Sequence, residues 1–507
     1  VIYLLGGVYS FDSTILIEDT NNGADGKYKT IMAYPGDEVV WDFSAMEVSD
    51  SNRGVVLDGD YWYFKGFEIT KAGDNGMLLA GNDNLIELME FNDNQDTGLQ
   101  LSRYKTSNAD IGSWPSDNLI LNCTAKNNCD NETMENADGF AAKLTCGEGN
   151  VFDGCMSYNN SDDGWDLYAK SETGPIGVVT IRNCIAFRNG YTEFGEGFGD
   201  CDGNGFKLGG GGIGTAHIVE NCLAFENLNC GFTDNNNPKL GSVSKCTAYN
   251  NGIGGNGKPN FSCYRCTDDG CDFSAVLTYV NADNFNAALA PGISSAKIAN
   301  DKFVGTMENS AYYNGGKYYN VTDKQTINNG DKIGNIVTIT DDDFISLEVA
   351  PYVSASEGSG ADWFDFHKEW RNADGILNTG GFLETKDSSE YKDIGIDFQS
   401  IELPIDPIDP PVTTEPIPVT TSSTTTAVTT EDVPDSTTEV TTEVIPDGTK
   451  YGDVNTDGSV NIADVVALNM YILNNEVNAI SSEGKANADC ARDNKIDASD
   501  SLTLMNY

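Results

Sequence analysis

"NCLAFEN" occupies residues 221–227 and belongs to a pattern that occurs five times, in which cysteine precedes alternating small and apolar residues and a closing asparagine. The other copies are NCTAKNN (122–128), GCMSYNN (154–160), NCIAFRN (183–189) and KCTAYNN (245–251). Successive copies begin 24 to 38 residues apart. A short apolar strand that returns at such intervals predicts a fold made of stacked repeats.

A second set of strands, each led by glycine, lies between these copies. Its members are GVVLDG (54–59), GMLLAG (76–81), GLQLS (98–102), GFAAKL (139–144), GWDLY (164–168), GFKLGG (205–210) and GFTDN (231–235). The first three begin 22 residues apart, and the longer later gaps predict loops inserted into a constant coil. A leucine-rich repeat has a similar period, but its Leu-x-x-Leu-x-Leu pattern is absent. We therefore predict an all-β fold, a right-handed parallel β-helix over about residues 1–320, in which each coil buries its apolar face against its neighbours.

The sequence contains 13 cysteines, five of which lie in the repeated pattern. We interpret these five as small interior side chains and not as a disulfide framework. The repeated asparagines are predicted to hydrogen-bond from coil to coil. The disulfide state of the cysteines stays open.

The formal net charge of −48 over 507 residues restricts the partners of the protein. Nucleic acid is excluded because its phosphates require clustered Lys and Arg. An anionic ligand would need bound cations that reverse the local field, which favours divalent metals. No apolar run approaches the roughly 20 residues of a membrane span. The start, VIYLLGGVYSF (1–11), lacks the basic region and cleavage site of a signal peptide, so any secretion signal is expected to be removed or to lie outside this sequence.

Changes in composition divide the chain into three parts. Residues 1–402 are predicted to form the β-helix domain, with residues 320–400 capping its open end. Pro, Thr and acidic residues dominate residues 403–448, which predicts an extended, disordered linker. Residues 449–507 are predicted to form a small α-helical domain.

This C-terminal domain contains two loops with the spacing of EF-hand calcium ligands. The first loop (453–464) supplies Asp453, Asn455, Asp457, Ser459 and Asp464. The second loop (489–500) is a degraded copy that supplies Asp489, Asp493, Lys495, Asp497 and Asp500. Two such loops, each followed by an apolar run, resemble a type I dockerin. The resemblance implies bound Ca²⁺, a cohesin partner on a scaffoldin, and a secreted, cellulosome-associated protein that acts on plant cell-wall polymer. It leaves the calcium affinity of the second loop open.

Overlaying the glycine-led strands by their glycine predicts which side chains point outward. Apolar residues stand one and three positions after the glycine, so strand alternation directs the residue between them outward. This outward row includes Asp166 and Lys207 on neighbouring coils, about 4.8 Å apart along the helix axis. The position before the glycine carries Asp138 and Asp163, again on neighbouring coils, with Asp162 beside them. Four carboxylates near one lysine would repel each other without a cation, and all-oxygen ligands on a rigid frame suit Ca²⁺.

Three segments that carry these residues, NADGF (136–140), NSDDGWD (160–166) and DGNGFKLGG (202–210), resemble the family 9 pectate lyases. The resemblance implies four ligands of a primary Ca²⁺: Asp138, Asp162, Asp163 and Asp166. It also implies that Lys207 is the catalytic base in β-elimination of α-1,4-galacturonan. An alkaline optimum follows, because lysine must first lose a proton whose reference pKa is about 10.4.

Four further basic residues, expected on the same face, are candidates for binding neighbouring uronates, although the solvated surface charge is the favoured interpretation of each: Lys143, Lys170, Arg182 and Arg188. His217 is interpreted as structural, and His367 is given no role. Two other functions stay open: a rhamnogalacturonan lyase of the same family and a non-catalytic β-helix that binds acidic polysaccharide. A polygalacturonase-type hydrolase is disfavoured because its Gly-His-Gly and Arg-Ile-Lys motifs are absent.

Overall fold

The computed structural model describes residues 1–192, 201–254, 257–267, 270–281, 299–349 and 365–401, and near the C-terminus Val454, Thr456, Leu468, Tyr471, residues 480–488 and Ile496. The chain divides into two units, Val1–Thr414 and Glu415–Tyr507. Nearly all the described secondary-structure elements of the first unit are short β-strands.

These strands form three sheets. Sheet A contains β1 (Ile2–Leu4), β4 (Lys29–Ala33), β7 (Trp62–Lys65), β10 (Leu85–Glu87), β13 (Leu119–Leu121), β16 (Asn150–Asp153), β19 (Val179–Arg182), β22 (His217–Glu220), β25 (Gly241–Ser244), β28 (Cys271–Ser274), β31 (Gly305–Glu308) and β34 (Gln325–Ile327). Sheet B contains β2 (Gly7–Ser10), β5 (Val39–Asp42), β8 (Glu68–Thr70), β11 (Glu90–Asn92), β14 (Thr124–Lys126), β17 (Met156–Tyr158), β20 (Ile185–Phe187), β23 (Leu223–Phe225), β26 (Thr247–Tyr249), β29 (Leu277–Tyr279), β32 (Ser310–Asn314), β33 (Lys317–Val321) and β35 (Asn335–Val337). Sheet C contains β3 (Ile15–Ile17), β6 (Val55–Leu57), β9 (Met77–Leu79), β12 (Leu99–Leu101), β15 (Phe140–Ala142), β18 (Trp165–Asp166), β21 (Phe206–Lys207), β24 (Phe232–Thr233), β27 (Phe261–Cys263) and β30 (Lys302–Phe303).

From β1 to β30, consecutive strands of the chain pass from sheet A to sheet B to sheet C, so each of these coils adds one strand to every sheet. The neighbours within sheet C are parallel throughout, from β3 and β6 at one end to β27 and β30 at the other. This arrangement confirms the predicted parallel β-helix. The glycine-led segments supply strands β6 to β24 of sheet C, and the cysteine-containing pattern supplies strands β14 to β26 of sheet B.

The interior of the coils is apolar, and the cysteines of the repeat belong to it. Cys123, Cys155, Cys184, Cys222 and Cys246 are fully buried in the main core and carry free thiols. Cysteines of neighbouring coils contact each other, and the backbone N–H of Cys155 donates to Sγ of Cys184 at 3.4 Å. Their prediction as packing residues is confirmed.

A ladder of asparagine side chains runs along one corner of the coils. In each step an Nδ2 donates to the Oδ1 of the next asparagine at 2.8–3.0 Å, through Asn94, Asn128, Asn160, Asn189, Asn227, Asn251 and Asn260. The same Nδ2 groups also bond to strand carbonyls, as Asn160 does to Ala125 at 3.2 Å. The ladder therefore satisfies buried backbone groups where each coil turns.

Replacing Asn160 with leucine is expected to lower the free energy of unfolding by about 3 kcal/mol, because it leaves the buried Asn128 amide and the Ala125 carbonyl without partners. Urea unfolding followed by circular dichroism measures the change. Asn131→Ala is the matched control, since Asn131 is exposed and should change stability by less than about 0.5 kcal/mol. Equal effects of the two substitutions would contradict a structural role of the ladder.

The segment predicted to cap the open end is divided between two places. Strands β33, β34 and β35 pair antiparallel at the last coil, as a cap would. Residues 365–401, by contrast, pack along the outer face of sheet B, so the prediction is wrong for them. The reason is a row of outward aromatic rings on that face: Phe366 of helix α1 (Phe366–Glu369) contacts Tyr158 and Phe187 at centroid distances of 5.3 and 4.8 Å.

The described part of the second unit contains helix α2 (Ser482–Ala488) and an apolar cluster of Val454, Leu468 and Ala488. Every predicted calcium ligand of the two C-terminal loops lies outside the described residues. Short 3₁₀ turns are found in the first unit at Ile111–Ser113 and Asp341–Asp343. No helix among the described residues has both the length and the apolar character needed to cross a membrane.

Candidate active site

The candidate site lies on the outer side of sheet C, where β18 and β21 are neighbours. Asp166 and Lys207 are register partners in these strands, which confirms the predicted outward row. The row continues in register to Ala141 on one side and to Thr233 on the other. Both candidate side chains are buried, with Asp166 5% and Lys207 8% exposed.

Interior aromatic rings hold these strands in place. Trp165 and Phe206, each next to a functional residue, stack at a centroid distance of 4.8 Å. Gly164 permits the close approach of the coils, because a Cβ there would lie 2.5 Å from the carbonyl oxygen of Gly205. The glycine of the repeat and the aromatic residue after it thus fix where Asp166 and Lys207 project.

Three carboxylates converge at this point. Asp138 and Asp163 stack on adjacent coils through the bond from the Gly139 N–H to the Asp163 carbonyl at 2.9 Å. One oxygen from each of Asp138, Asp163 and Asp166 lies within 4.8 Å of the others. All three side chains are at least nine-tenths buried. The cluster is thus a compact, all-oxygen group on rigid strands.

One oxygen of this cluster is left without a partner among the described residues. Asp163 is oriented by Asn204, whose N–H and Nδ2 donate to Asp163 Oδ1 at 2.7 and 2.8 Å. Its other oxygen, Oδ2, faces the ammonium of Lys207, whereas Asp166 Oδ1 is buried and accepts no hydrogen bond from the described residues. Buried, orphaned carboxylate oxygens are costly unless a cation binds them. The donor set therefore fits a hard divalent cation such as Ca²⁺.

Two lysines flank the carboxylates from opposite sides. Lys207 Nζ lies 3.0 Å from Asp163 Oδ2 and 3.7 Å from Asp166 Oδ2. Lys143 Nζ lies 2.6 Å from Asp138 Oδ2 and 3.6 Å from Asp166 Oδ2. Lys143 was predicted as a substrate-binding or solvated residue, and the structure places it inside the carboxylate cluster, 6% exposed.

The electrostatics of the cluster follow from burial and crowding. Burial, together with repulsion from neighbouring carboxylates, raises the pKa of Asp138 and Asp163 well above the usual value. Burial alone would lower the pKa of Lys207, but the surrounding carboxylates raise it well above its usual value. Without a further cation, Lys207 is therefore held in its charged form.

Asp162 stands beside this cluster and not in it. Its Oδ2 accepts from the Asn136 N–H at 2.9 Å and its Oδ1 from the Asp202 N–H at 2.6 Å. Both oxygens are thus engaged by backbone groups, and the expected four-carboxylate set contains three converging members. Asp202, which sequence reasoning missed, contacts Lys207 Nζ at 2.9 Å and is half exposed. Asp202 is the first residue of the DGNGFKLGG segment (202–210), the segment that also contains Lys207, and this position in the sequence could have indicated it.

The structure does not bring the candidate arginines to this site. Arg182 ends β19 of sheet A and pairs with Asp153 at 2.8 Å. Arg188 follows β20 of sheet B, is 2% exposed, and pairs with Glu226 at 2.8 Å. The expectation that they share the face of Asp166 is wrong, because they belong to other sheets. Lys170 follows β18 on the site's own coil and forms a bridge with Gly174.

Neither histidine lies in the site. His217 is fully buried in sheet A, accepts from the Val179 N–H at 3.1 Å, and has its pKa lowered by burial to about 3. This environment agrees with its interpretation as structural. His367 lies in α1 against sheet B, where it contacts Thr124 Oγ1 at 2.7 Å.

The family of the chain follows from comparison with known proteins. Residues 1–266, more than half of the chain, match the family described as "Pel9A-like, right handed beta helix region". The chain belongs to the Pel9A-like β-helix family. Residues 451–507 match the family described as "Dockerin type I domain". The candidate site residues, from Asp138 to Lys207, all lie within residues 1–266, the range matched by the Pel9A-like family.

Curated relatives of this Pel9A-like chain include "Pectate lyase L" of Paenibacillus polymyxa, which is 51% identical over 251 residues, and "Pectate lyase L" of Thermoclostridium stercorarium, 46% identical over 255 residues. Each match covers 50% of this chain, but 56% and 20% of the relatives. Among solved structures, "Crystal structure of pectate lyase Pel9A" is similar with a TM-score of 0.53 and 26% identity, covering 77% of this chain and 81% of that chain. A "Rhamnogalacturonan lyase" is similar in fold, with a TM-score of 0.52 and 21% identity, covering 78% of this chain and 90% of that chain.

Proposed function

We propose that this protein is a calcium-dependent pectate lyase that cleaves α-1,4-galacturonan by β-elimination, with Lys207 as the base. One observation carries the proposal: Lys207 Nζ stands 3.0 Å from one carboxylate and 3.7 Å from another in a cluster that retains an orphaned buried oxygen, Asp166 Oδ1. The names of the relatives, pectate lyases in each case cited, agree with that chemistry. Asp138, Asp163 and Asp166 would hold the Ca²⁺, with Asp162 orienting the neighbouring backbone.

The chemistry divides between the ion and the protein. Bound Ca²⁺ would supply Lewis-acid polarisation of the galacturonate carboxylate and so make the adjacent C5 proton more acidic. Lys207, once neutral, takes that proton on Nζ, and the C4–O bond breaks to leave a 4,5-unsaturated sugar. Asp163 and Asp166 hold the Lys207 ammonium in place before the reaction and stabilise it afterwards. An alkaline optimum remains a prediction of this scheme.

The charge of the protein fits this scheme. A chain with a net charge of −48 repels a polyuronate, and a cation held by three buried aspartates would reverse the field locally. A non-catalytic polysaccharide-binding β-helix would also use such an ion, and product analysis separates it from a lyase.

Product analysis tests the proposed activity and separates its rivals. Incubation of the full chain with polygalacturonate and Ca²⁺ is expected to produce ultraviolet absorbance from the conjugated double bond of a 4,5-unsaturated uronate. A hydrolase would release reducing ends without this absorbance, and a binding module would release neither. Rhamnogalacturonan run in parallel is the control for the related lyase specificity. Absorbance on rhamnogalacturonan alone would replace the proposed substrate and leave the reaction type unchanged.

We also propose that the C-terminal unit binds Ca²⁺ and docks to a cohesin module of a scaffoldin, which would make the protein secreted and cellulosome-associated. The dockerin match over residues 451–507 supports this assignment. So does the spacing of the loop residues, beginning with Asp453 in the first loop and Asp489 in the second. The dockerin would bring the β-helix to other enzymes that act on the same cell wall.

A further inference from the structure

The outward row of sheet C continues beyond Lys207 toward the C-terminal coils. Thr233 is the register partner of Lys207, Ser262 follows Thr233, and Lys302 follows Ser262. At about 4.8 Å per strand, Lys302 lies roughly 14 Å from Lys207 along the helix axis. A polysaccharide lying along the axis would pass over each of these positions.

Arg265 reaches this row from the loop after β27. Its Nη2 donates to Thr233 Oγ1 at 2.7 Å, which places the guanidinium one strand away from Lys207. Its Nε contacts Oδ1 of the fully buried Asp234 at 2.5 Å. The side chain keeps 29% of its surface exposed. The contacts with Thr233 and Asp234 therefore fix the guanidinium of Arg265, while part of it faces solvent.

Tyr264 joins this arginine to Lys302. The Arg265 guanidinium lies 5.0 Å from the centroid of the Tyr264 ring, and Lys302 Nζ lies 4.9 Å from it. We call Tyr264, Arg265 and Lys302 the basic shelf. Lys302 forms no ion pair with any carboxylate among the described residues, in a protein whose acidic residues outnumber its basic ones by 78 to 30. The shelf is thus a fixed pair of cations set against an aromatic ring.

The row is asymmetric about the candidate site. On the N-terminal side of Asp166 it runs through Ala141, Gln100, Leu78 and Val56, which carry no charge. On the C-terminal side of Lys207, the row contains Lys302, and Arg265 contacts the row at Thr233. A carboxylate-bearing sugar next to the reacting one would lie near both of these cations on that side.

We propose that the basic shelf is a subsite for the carboxylate of a uronate adjacent to the one that reacts, and that Arg265 sets the preference for a charged neighbour. The inference rests on the proposed lyase function and deepens it by naming the side of the site that selects unesterified substrate. Arg265 donates the N–H groups left free by Asp234, Thr233 and the Ser262 carbonyl to the sugar carboxylate, a geometry that suits a guanidinium better than an ammonium. Lys302 serves the next sugar toward the C-terminal end.

The test uses the full-length protein in Ca²⁺ and compares unesterified polygalacturonate with a partially methyl-esterified polymer, in which free uronates that can react have esterified neighbours. Arg265→Gln combined with Asp234→Asn, which leaves no unpaired buried carboxylate, is expected to raise KM on the unesterified polymer by about tenfold to a hundredfold. On the esterified polymer the KM of the variant and the wild type should agree within about twofold, since a methyl ester offers no charged partner. Lys302→Met, which leaves Asp234 untouched, should raise KM in the same direction by a smaller factor. Arg265→Lys should restore part of the loss.

The matched control is Arg182→Gln, which removes a similar arginine–aspartate pair on sheet A and should leave KM on both polymers unchanged. Binding of trigalacturonate by calorimetry gives a second readout that requires no turnover. Wild-type protein that neither binds nor cleaves polygalacturonate would overturn the proposed function itself. Wild-type cleavage with an unchanged KM in both shelf variants, or an equal loss on both polymers, would overturn the subsite alone.

Discussion

Lys207→Ala is expected to lower kcat on polygalacturonate by about a thousandfold or more, the effect of removing a positioned general base. Its Nζ is the amine held at 3.0 and 3.7 Å from two carboxylates of the cluster, so no neighbouring group of the row replaces it. Thr233 and Asp166, its register partners, carry a hydroxyl and a carboxylate that is already committed to the cluster. The rate of formation of unsaturated product measures the loss.

Lys207→Arg separates a base from a mere positive charge. The guanidinium keeps the charge but does not lose its proton in proteins, so the variant should be as inactive as Lys207→Ala. In the wild type, activity should rise with pH, by about tenfold per unit, while Lys207 remains mostly protonated. The carboxylates raise the pKa of Lys207 in the ion-free protein, so a bound cation must oppose that shift for the lysine to act.

Lys324→Ala is the control for this experiment, since Lys324 forms an exposed ion pair with Asp272 far along the chain from the site. It should retain full activity. An active Lys207→Arg variant, or a Lys207→Ala variant with wild-type kcat, would mean that another group takes the proton.

The sequence predicted the parts of the fold that repeat. Overlaying glycine-led strands placed Asp166 beside Lys207 and Asp138 beside Asp163, and the structure has these registers. Such inference works because every coil repeats one geometry, and a residue's position within the motif decides whether it points inward or outward.

What does not repeat could not be predicted in this way. Residues 365–401 return to the outer face of sheet B, a contact across more than a hundred residues that no period encodes. Asp162 has the right position in the motif, but the loop amides of Asn136 and Asp202 occupy its oxygens. Arg265 lies in a loop outside the strand pattern, and its place over Thr233 depends on how that loop folds.

Asp163→Asn is expected to abolish the stabilisation of the β-helix by Ca²⁺ and to reduce kcat/KM by about a thousandfold. The amide preserves the shape of the side chain and its acceptor toward Asn204, but it removes the charge of the buried carboxylate that we propose as a ligand. At a free Ca²⁺ concentration of about 100 times Kd, binding stabilises the wild type by about 2.7 kcal/mol. Thermal or urea unfolding of the full chain, with and without chelator, measures this gain. Asp272→Asn, at an exposed carboxylate, is the control and should keep it.

The same substitution should have the opposite sign without calcium. Because burial raises the pKa of Asp138 and Asp163 above their unfolded values, the ion-free protein is stabilised at low pH and loses that stability as pH rises through the folded pKa values. Asp163→Asn removes one of these charges, so at neutral pH the ion-free variant should be at least as stable as the ion-free wild type. Calcium bound by the C-terminal loops contributes equally to both proteins and cancels in the difference. If the variant were less stable than the wild type in chelator, or kept the calcium response, Asp163 would be a structural partner of Lys207 and not a ligand of the ion.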